Sequence, residues 1–166
     1  MDRRQEERLD YLLRKFKEDS VRYRDLEVGD DYMEKRTALR SLMNIRMPGS
    51  MAEDVVRVQD EFLTVEAEEK GIIDLSGIPT AAEQYRSRHP FADKISIWQG
   101  DITRLHVGAI VNAANCQMLG CFVPCHGCID NAIHSAAGIQ LREECSRYMD
   151  GRKMQYGRRY EEPTGQ

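Results

Sequence analysis

Residues 109–115 read Ala-Ile-Val-Asn-Ala-Ala-Asn, and this stretch decides the fold class. Its short apolar run is typical of a strand buried on both faces, as in a parallel sheet. Upstream, Lys94–Trp98 alternates in the manner of a strand, and downstream Ile129–Ala137 has helical spacing. The order strand, strand, helix predicts an α/β domain that binds its ligand at the carboxyl ends of the strands.

Composition indicates a globular protein. The 166 residues are 41% hydrophobic and 31% charged, with a formal net charge of -4. This balance argues against nucleic-acid binding as the main function, since such proteins carry excess positive charge. The sequence contains no apolar run near the roughly 20 residues of a membrane span, and its charged amino terminus resembles no signal peptide. We therefore expect a cytoplasmic protein with no nucleic-acid or membrane partner.

Charge density divides the chain near Pro90. Residues 91–140 contain only five charged side chains, whereas residues 1–90 contain 16 Lys/Arg and 20 Asp/Glu. A stretch so poor in charge is expected to be buried or to face a ligand. We accordingly predict a helical extension at 1–75, a connecting loop at 76–90 and half of an α/β domain at 91–166.

Three helices are predicted within the extension. The first spans about 3–18 and is amphipathic. Asp30 and Asp31 can cap the second, which Pro48 and Gly49 end. A capping box formed by Ser50 and Glu53 opens the third, which stops at Gly71. We expect these helices to cover apolar surface of the domain that follows.

Residues 121–128 read Cys-Phe-Val-Pro-Cys-His-Gly-Cys and have the residue types of a zinc site. Thiolate and imidazole are the ligands that zinc favours in a tetrahedral arrangement. Cys121, His126 and Cys128 are spaced so that the backbone can wrap one ion. Cys125 adjoins His126, and neighbouring side chains of an extended loop point in opposite directions. Three protein ligands leave an open position, which is the pattern of catalytic zinc.

Spacing leaves two other interpretations open. Cys125 or Cys116 could serve as a fourth ligand and close a structural zinc site. Alternatively, the cysteines could be buried hydrophobes without a metal. Their clustering in a chain with five cysteines argues only against a disulfide framework.

Polar side chains near the predicted strands and helix are candidate ligand contacts. Asp101 could accept a hydrogen bond from an amine or a ribose hydroxyl, or simply form a turn or cap. Asn115 offers both a donor and an acceptor. Asp130 could cap the helix, or orient a water or a sugar hydroxyl. His134 is interpreted as a packing or supporting residue of the same helix face.

Together these residues resemble the macrodomain family. The motifs that carry the resemblance occur in the family's order: Gln99–Thr103, Asn112–Asn115, Leu119–Gly120, Ile129–His134 and Ala136–Gly138. The Cys-His-Cys loop stands where common macrodomains have a glycine-rich run. In this respect the chain resembles the zinc-dependent branch of the family, whose members also carry a helical amino-terminal extension.

The resemblance implies a three-layer α/β/α fold and hydrolysis of protein-linked ADP-ribose. Cys121, His126 and Cys128 would bind one Zn²⁺, and Asn115 and Asp130 would be catalytic. The residues that contact ADP-ribose would be Asp101 and Ile102 at the adenine, Asn115 at the distal ribose, and Cys128, Ile129 and Asp130. The enzyme would cleave mono-ADP-ribose from glutamate or aspartate side chains, with a lipoylated carrier protein as one candidate substrate.

The sequence departs from the family in one respect. The family's second, glycine-rich phosphate loop is absent, and residues 162–166 resemble the approach to a further strand. We therefore expect an incomplete macrodomain, truncated at its carboxyl end, that is poorly stable and weakly active alone. The alternatives to the hydrolase are an ADP-ribose-binding module with structural zinc and an inactive truncated product.

Overall fold

The computed structural model describes residues 3–150, which form an α/β structure with a short parallel sheet. The helices are α1 (Arg3–Asp19), α2 (Tyr32–Ile45), α3 (Glu53–Lys70), α4 (Ala81–Tyr85), α5 (Ile129–Ala137) and α6 (Ile139–Met149). The strands are β1 (Ile73–Asp74) and β2 (Leu105–His106).

By their internal contacts, the residues fall into two compact units. Residues 3–62 and 112–150 belong to the first unit, and residues 63–111 form the second. The amino-terminal helices α1 and α2 thus share a unit with the cysteine loop and with α5 and α6. The domain boundaries predicted from composition differ from this division by contacts. They stay a prediction, with segments 1–75, 76–90 and 91–166.

The core of the first unit is built from amphipathic helices. The predicted helix at 3–18 is confirmed as α1, whose buried face includes Phe16. Gln5 lies in this core and donates a 2.8 Å hydrogen bond to the Phe62 carbonyl oxygen of α3. The buried apolar side chains of the unit are Leu9, Leu12, Leu13, Phe16, Leu39, Leu42, Met43, Val55, Phe62, Ile133 and Ile139.

The ends of α2 follow the predicted signals, whereas the start of α3 does not. Asp31 caps α2 by accepting hydrogen bonds from the backbone N–H groups of Met33 and Glu34. The third helix begins at Glu53, after Ala52, so the predicted capping box at Ser50 is wrong. A capping box forms instead at α4, where Thr80 is the N-cap and Glu83 is its partner.

The second unit contains the sheet. Ile73 of β1 pairs with Leu105 of β2 in parallel register, and Arg104 donates a 2.7 Å hydrogen bond to the Gly71 carbonyl oxygen. The region predicted as a connecting loop thus includes regular structure, since α4 lies within it. Helix α4 was not predictable from the sequence because its five residues are too few to show a helical period of apolar side chains.

Neither predicted strand forms as expected. Within 94–98 only Ser96 makes an isolated antiparallel bridge, to Thr80, and residues 109–113 have irregular backbone. The charge-poor stretch was expected to be buried or to face a ligand; Val111 is 91% exposed and so is not buried. A buried central strand needs a hydrogen-bonded neighbour on each side. For residues 109–113, the part of the chain that the structure describes supplies neither neighbour.

Two predictions concern membranes and the carboxyl end. None of the helices within residues 3–150 has the length and apolar character that crossing a membrane requires. The further strand predicted near 162–166 lies outside the described residues.

The helical core gives a direct test of stability. We expect Phe16→Ala to lower the free energy of unfolding by about 3–5 kcal/mol, because it removes a side chain that is only 2% exposed. Val21→Ala is the control, since Val21 is 93% exposed, and should change stability by less than about 0.5 kcal/mol. Urea denaturation followed by circular dichroism measures both; equal effects of the two variants would contradict the helical core.

Candidate functional site

The loop before α5 gathers the three predicted metal ligands. One donor atom from each of Cys121, His126 and Cys128 lies within 4.8 Å of the other two. Cys121 Sγ and His126 Nδ1 are 3.6 Å apart. Zinc ligands lie about 2.0–2.3 Å from the ion, so small side-chain rotations would bring all three donors onto one ion. The donor set and its clustering therefore fit zinc.

Cys128 is also the N-cap of α5. Its Sγ accepts a 3.4 Å hydrogen bond from the backbone N–H of Asn131. This bond lowers the pKa of the Cys128 thiol from its ordinary value, and His126 and Cys121 act in the same direction. A thiolate is therefore favoured at the amino end of the helix, where the helix dipole also favours negative charge.

The other cysteines of the loop region lie apart from this group. Cys125 Sγ is 3.2 Å from Ser41 Oγ and 3.6 Å from the Thr37 carbonyl oxygen, both on α2. Cys125 has a positive φ of 50°, so its side chain projects differently from that of His126. Cys116 is exposed and is not among the three grouped residues. This arrangement favours three protein ligands over a site closed by Cys125.

Asp130 lies in the first turn of α5 and is almost fully buried, with 5% exposure. Its Oδ1 accepts a 2.7 Å hydrogen bond from Asn112 Nδ2 and lies 3.6 Å from His134 Nε2. Asn112 and His134 thus hold one face of the carboxylate. A buried carboxylate with fixed orientation is suited to aligning a polar group of a ligand.

Gly120 allows the approach between the loop and His134. It has a φ of +78°, and a Cβ atom at this position would lie 2.7 Å from the His134 ring. Only glycine fits this conformation and this contact without strain. The Leu119–Gly120 motif therefore allows the backbone that precedes Cys121 to pack closely against α5.

Asn115 orders the turn that leads into this loop. Its Oδ1 accepts a hydrogen bond from the Gln117 backbone N–H, and its Nδ2 donates to the Gly120 carbonyl oxygen, both at 3.0 Å. Asn115 is exposed, and its predicted contact with the distal ribose stays a prediction.

Asp101 and Ile102 belong to the second unit. Asp101 caps a 3₁₀ turn over Ile102–Arg104, accepting hydrogen bonds from the Thr103 N–H and hydroxyl. These bonds, the hydroxyl's foremost, lower the pKa of the Asp101 carboxyl group. Asp101 thus forms a turn, which was one of the two roles considered for it from the sequence. The adenine contacts of both residues stay predictions.

Two contributions were missing from the sequence interpretation. Asn112 belongs to a quoted motif, yet its bond to Asp130 joins residues 18 positions apart. Arg40 and Asn44 of α2 contact the cysteine loop and α5 across at least 81 positions. No local sequence pattern signals contacts between residues so far apart. The one indication was the presence of polar residues on the otherwise apolar face of α2.

His134 makes stability depend on pH. Burial lowers its pKa from the ordinary value, although Asp130 opposes this effect. A histidine with a lowered folded pKa destabilises the fold as pH falls through its unfolded pKa of about 6.5. Each pKa unit of lowering corresponds to about 1.4 kcal/mol lost on full protonation.

We therefore expect His134→Gln to lose less stability than the unsubstituted chain between pH 7.5 and pH 5. Urea denaturation at both values measures the difference. His89→Gln is the control, because His89 is exposed and belongs to the second unit. A His134→Gln variant with an unchanged pH dependence would contradict the assignment.

Comparison with known proteins places this site in a family. Residues 111–166 match the family model of the Macro domain. The "Protein-ADP-ribose hydrolase" of Treponema medium is 39% identical over 157 residues, which cover 95% of this chain and 54% of that protein. The protein of the same name from Staphylococcus aureus strain Mu50 is 33% identical, over 84% of this chain and 48% of that protein.

A fungal relative has a name that covers two activities. The "Probable bifunctional ADP-ribose hydrolase/ADP-ribosyltransferase" of Fusarium oxysporum f. sp. cubense is 40% identical over 71% of this chain and 20% of that protein. The chain spans about half the length of the two hydrolases that it matches. The family-model match over residues 111–166 and the similarity to the two hydrolases show that the chain belongs to the macrodomain family.

Proposed function

We propose that the protein is a zinc-dependent hydrolase that removes mono-ADP-ribose from modified proteins. The observation that carries the proposal is the juxtaposition of a Cys-His-Cys donor group with the buried carboxylate of Asp130, two residues beyond Cys128. The relatives named as protein-ADP-ribose hydrolases support the same reaction.

Cys121, His126 and Cys128 would hold the zinc ion. When bound, zinc supplies Lewis-acid chemistry that polarises an oxygen of the substrate or of water. Asp130 would orient the attacking water or a hydroxyl of the distal ribose, and Asn112 and His134 would keep its carboxylate in place. Asn115, Ile129 and the Cys128 backbone would complete the contacts of the ribose, with Asp101 and Ile102 at the adenine.

The reaction breaks the bond between the anomeric carbon of the distal ribose and the modified side chain. We propose glutamate or aspartate as this side chain. Water forms a bond to the anomeric carbon, the side-chain oxygen leaves with the bonding electrons as carboxylate, and one proton is released. Positive charge develops on the sugar ring as in other glycosidic cleavages, and a nearby carboxylate stabilises it. A lipoylated carrier protein is one candidate substrate.

Zinc content tests the metal part of the proposal. We expect one zinc per chain in the purified protein by mass-spectrometric metal analysis. Cys128→Ser and His126→Ala should each lose most of it, because a tetrahedral site with two protein ligands binds zinc weakly. Cys116→Ser is the matched control and should keep the metal, since Cys116 lies outside the donor group. Full zinc content in Cys128→Ser would contradict the site.

Turnover tests the role of Asp130. We expect Asp130→Asn to keep its zinc and its circular dichroism spectrum but to release ADP-ribose from a mono-ADP-ribosylated protein about 10²–10⁴-fold more slowly, the range typical of acid–base residues. Glu144→Gln is the control, because Glu144 is exposed on α6.

Product formation is followed by chromatography of free ADP-ribose. Unchanged turnover in Asp130→Asn would remove this carboxylate from the mechanism. Binding of ADP-ribose without any turnover, together with unfolding on chelation, would identify an ADP-ribose-binding module with structural zinc instead.

A further inference from the structure

We infer that Arg40 and Asn44 of α2 are positioning residues that hold the Cys121–Cys128 loop in its metal-binding shape; this inference rests on the proposed zinc site. Both side chains lie on the helix that precedes the loop by about 80 residues, yet they bond directly to the loop and to α5. The helical extension would thus be part of the metal centre.

Arg40 reaches the loop on the side of His126. Its Nη2 donates a 2.7 Å hydrogen bond to Asn131 Oδ1 and a longer, 3.4 Å bond to the His126 carbonyl oxygen. Its Nε donates to Ser135 Oγ at 3.2 Å. One guanidinium group therefore joins α2 to a candidate ligand residue and to two positions of α5.

Asn131 transmits this contact to the loop. It is fully buried, and its Nδ2 donates a 3.0 Å hydrogen bond to the Val123 carbonyl oxygen. Its backbone N–H is the donor to Cys128 Sγ. Arg40 therefore holds the side chain of the residue that bonds both the middle of the loop and one candidate ligand.

Asn44 anchors the other side of the turn. Its Oδ1 accepts a 2.9 Å hydrogen bond from the Cys125 backbone N–H, and its Nδ2 donates to Ser135 Oγ at 3.0 Å. Ser135 Oγ in turn donates to Asn131 Oδ1 at 3.3 Å. The two α2 side chains meet at Ser135, so the buried polar groups form one connected network.

The network counteracts the flexibility of the loop. Cys125 has a left-handed conformation, and Gly127 adjoins two of the candidate ligands. A free loop of this composition loses conformational entropy when its side chains converge on an ion. Groups that orient metal ligands from behind typically change metal affinity by about 10–100-fold.

Zinc affinity tests this role. We expect Arg40→Gln and Asn44→Ala to weaken zinc binding by about 10–100-fold in competition with a chromophoric zinc chelator. Arg40→Lys should lie between Arg40→Gln and the unsubstituted chain, because lysine keeps the charge but not the planar donor fork. Lys35→Ala is the control on the same helix; Lys35 pairs with Asp10, away from the loop.

A second measurement separates loop positioning from loss of fold and from failure of the zinc site. In metal-free protein, mass spectrometry follows the alkylation rate of Cys121 and Cys128. Arg40→Gln should accelerate it several-fold at an unchanged circular dichroism spectrum, whereas Lys35→Ala should not. This expectation holds whether or not zinc binds.

The outcomes distinguish the two proposals. A chain that binds no zinc but shows faster alkylation in Arg40→Gln refutes the proposed metal and supports loop positioning. Normal zinc affinity and unchanged alkylation in Arg40→Gln overturn the inference while the zinc site stands. Loss of affinity only in proportion to unfolding also overturns it.

Discussion

The hydrogen bond between Arg40 and Asn131 is the contact on which the position of the cysteine loop against α2 and α5 depends. Asn131 is completely buried, and a buried amide without partners carries a large desolvation cost. Its oxygen accepts from Arg40 and Ser135, and its Nδ2 donates to Val123. Satisfying this amide therefore requires α2, α5 and the loop in one relative arrangement.

A second cation reinforces the same arrangement. Arg142 of α6 donates to the carbonyl oxygens of Met43 and Arg46 at the end of α2, and to that of Leu119 before the cysteine loop. Its guanidinium carbon also lies 4.3 Å from the centroid of the Phe122 ring. The positive group satisfies carbonyls at a helix carboxyl end, where they lack intrahelical partners. Apolar packing joins the helices, while these polar contacts set the course of the loop.

The chemistry of the proposed site follows from its position at the amino end of α5. The Cys128 sulfur at the N-cap accepts the N–H of Asn131, and the carboxylate of Asp130 lies in the first turn of the same helix. The helix dipole would stabilise both the Asp130 carboxylate and a deprotonated Cys128. A divalent cation beside them would offset their mutual repulsion, which explains why metal ligands and a candidate catalytic carboxylate can adjoin one another.

Helices were predictable from the sequence because their signals are local. The apolar spacing of α1 and the cap at Asp31 operate within a few residues, and the structure contains both. The strands expected at 94–98 and 109–113 depend on distant neighbours for their hydrogen bonds, so apolar composition alone predicted them wrongly. The Cys-His-Cys donor set was predictable because its three residues lie within eight positions.

The helices of the extension, the donor types of the candidate metal group and the family of the chain can all be inferred from the order of residues alone. The contacts of Asn112 and His134 with Asp130, and those of α2 with the cysteine loop, become visible only in the folded chain. The two groups of features differ in the range of the interactions that produce them. Helical periodicity and capping act between neighbours, whereas the pairing of buried polar groups depends on how separate helices pack.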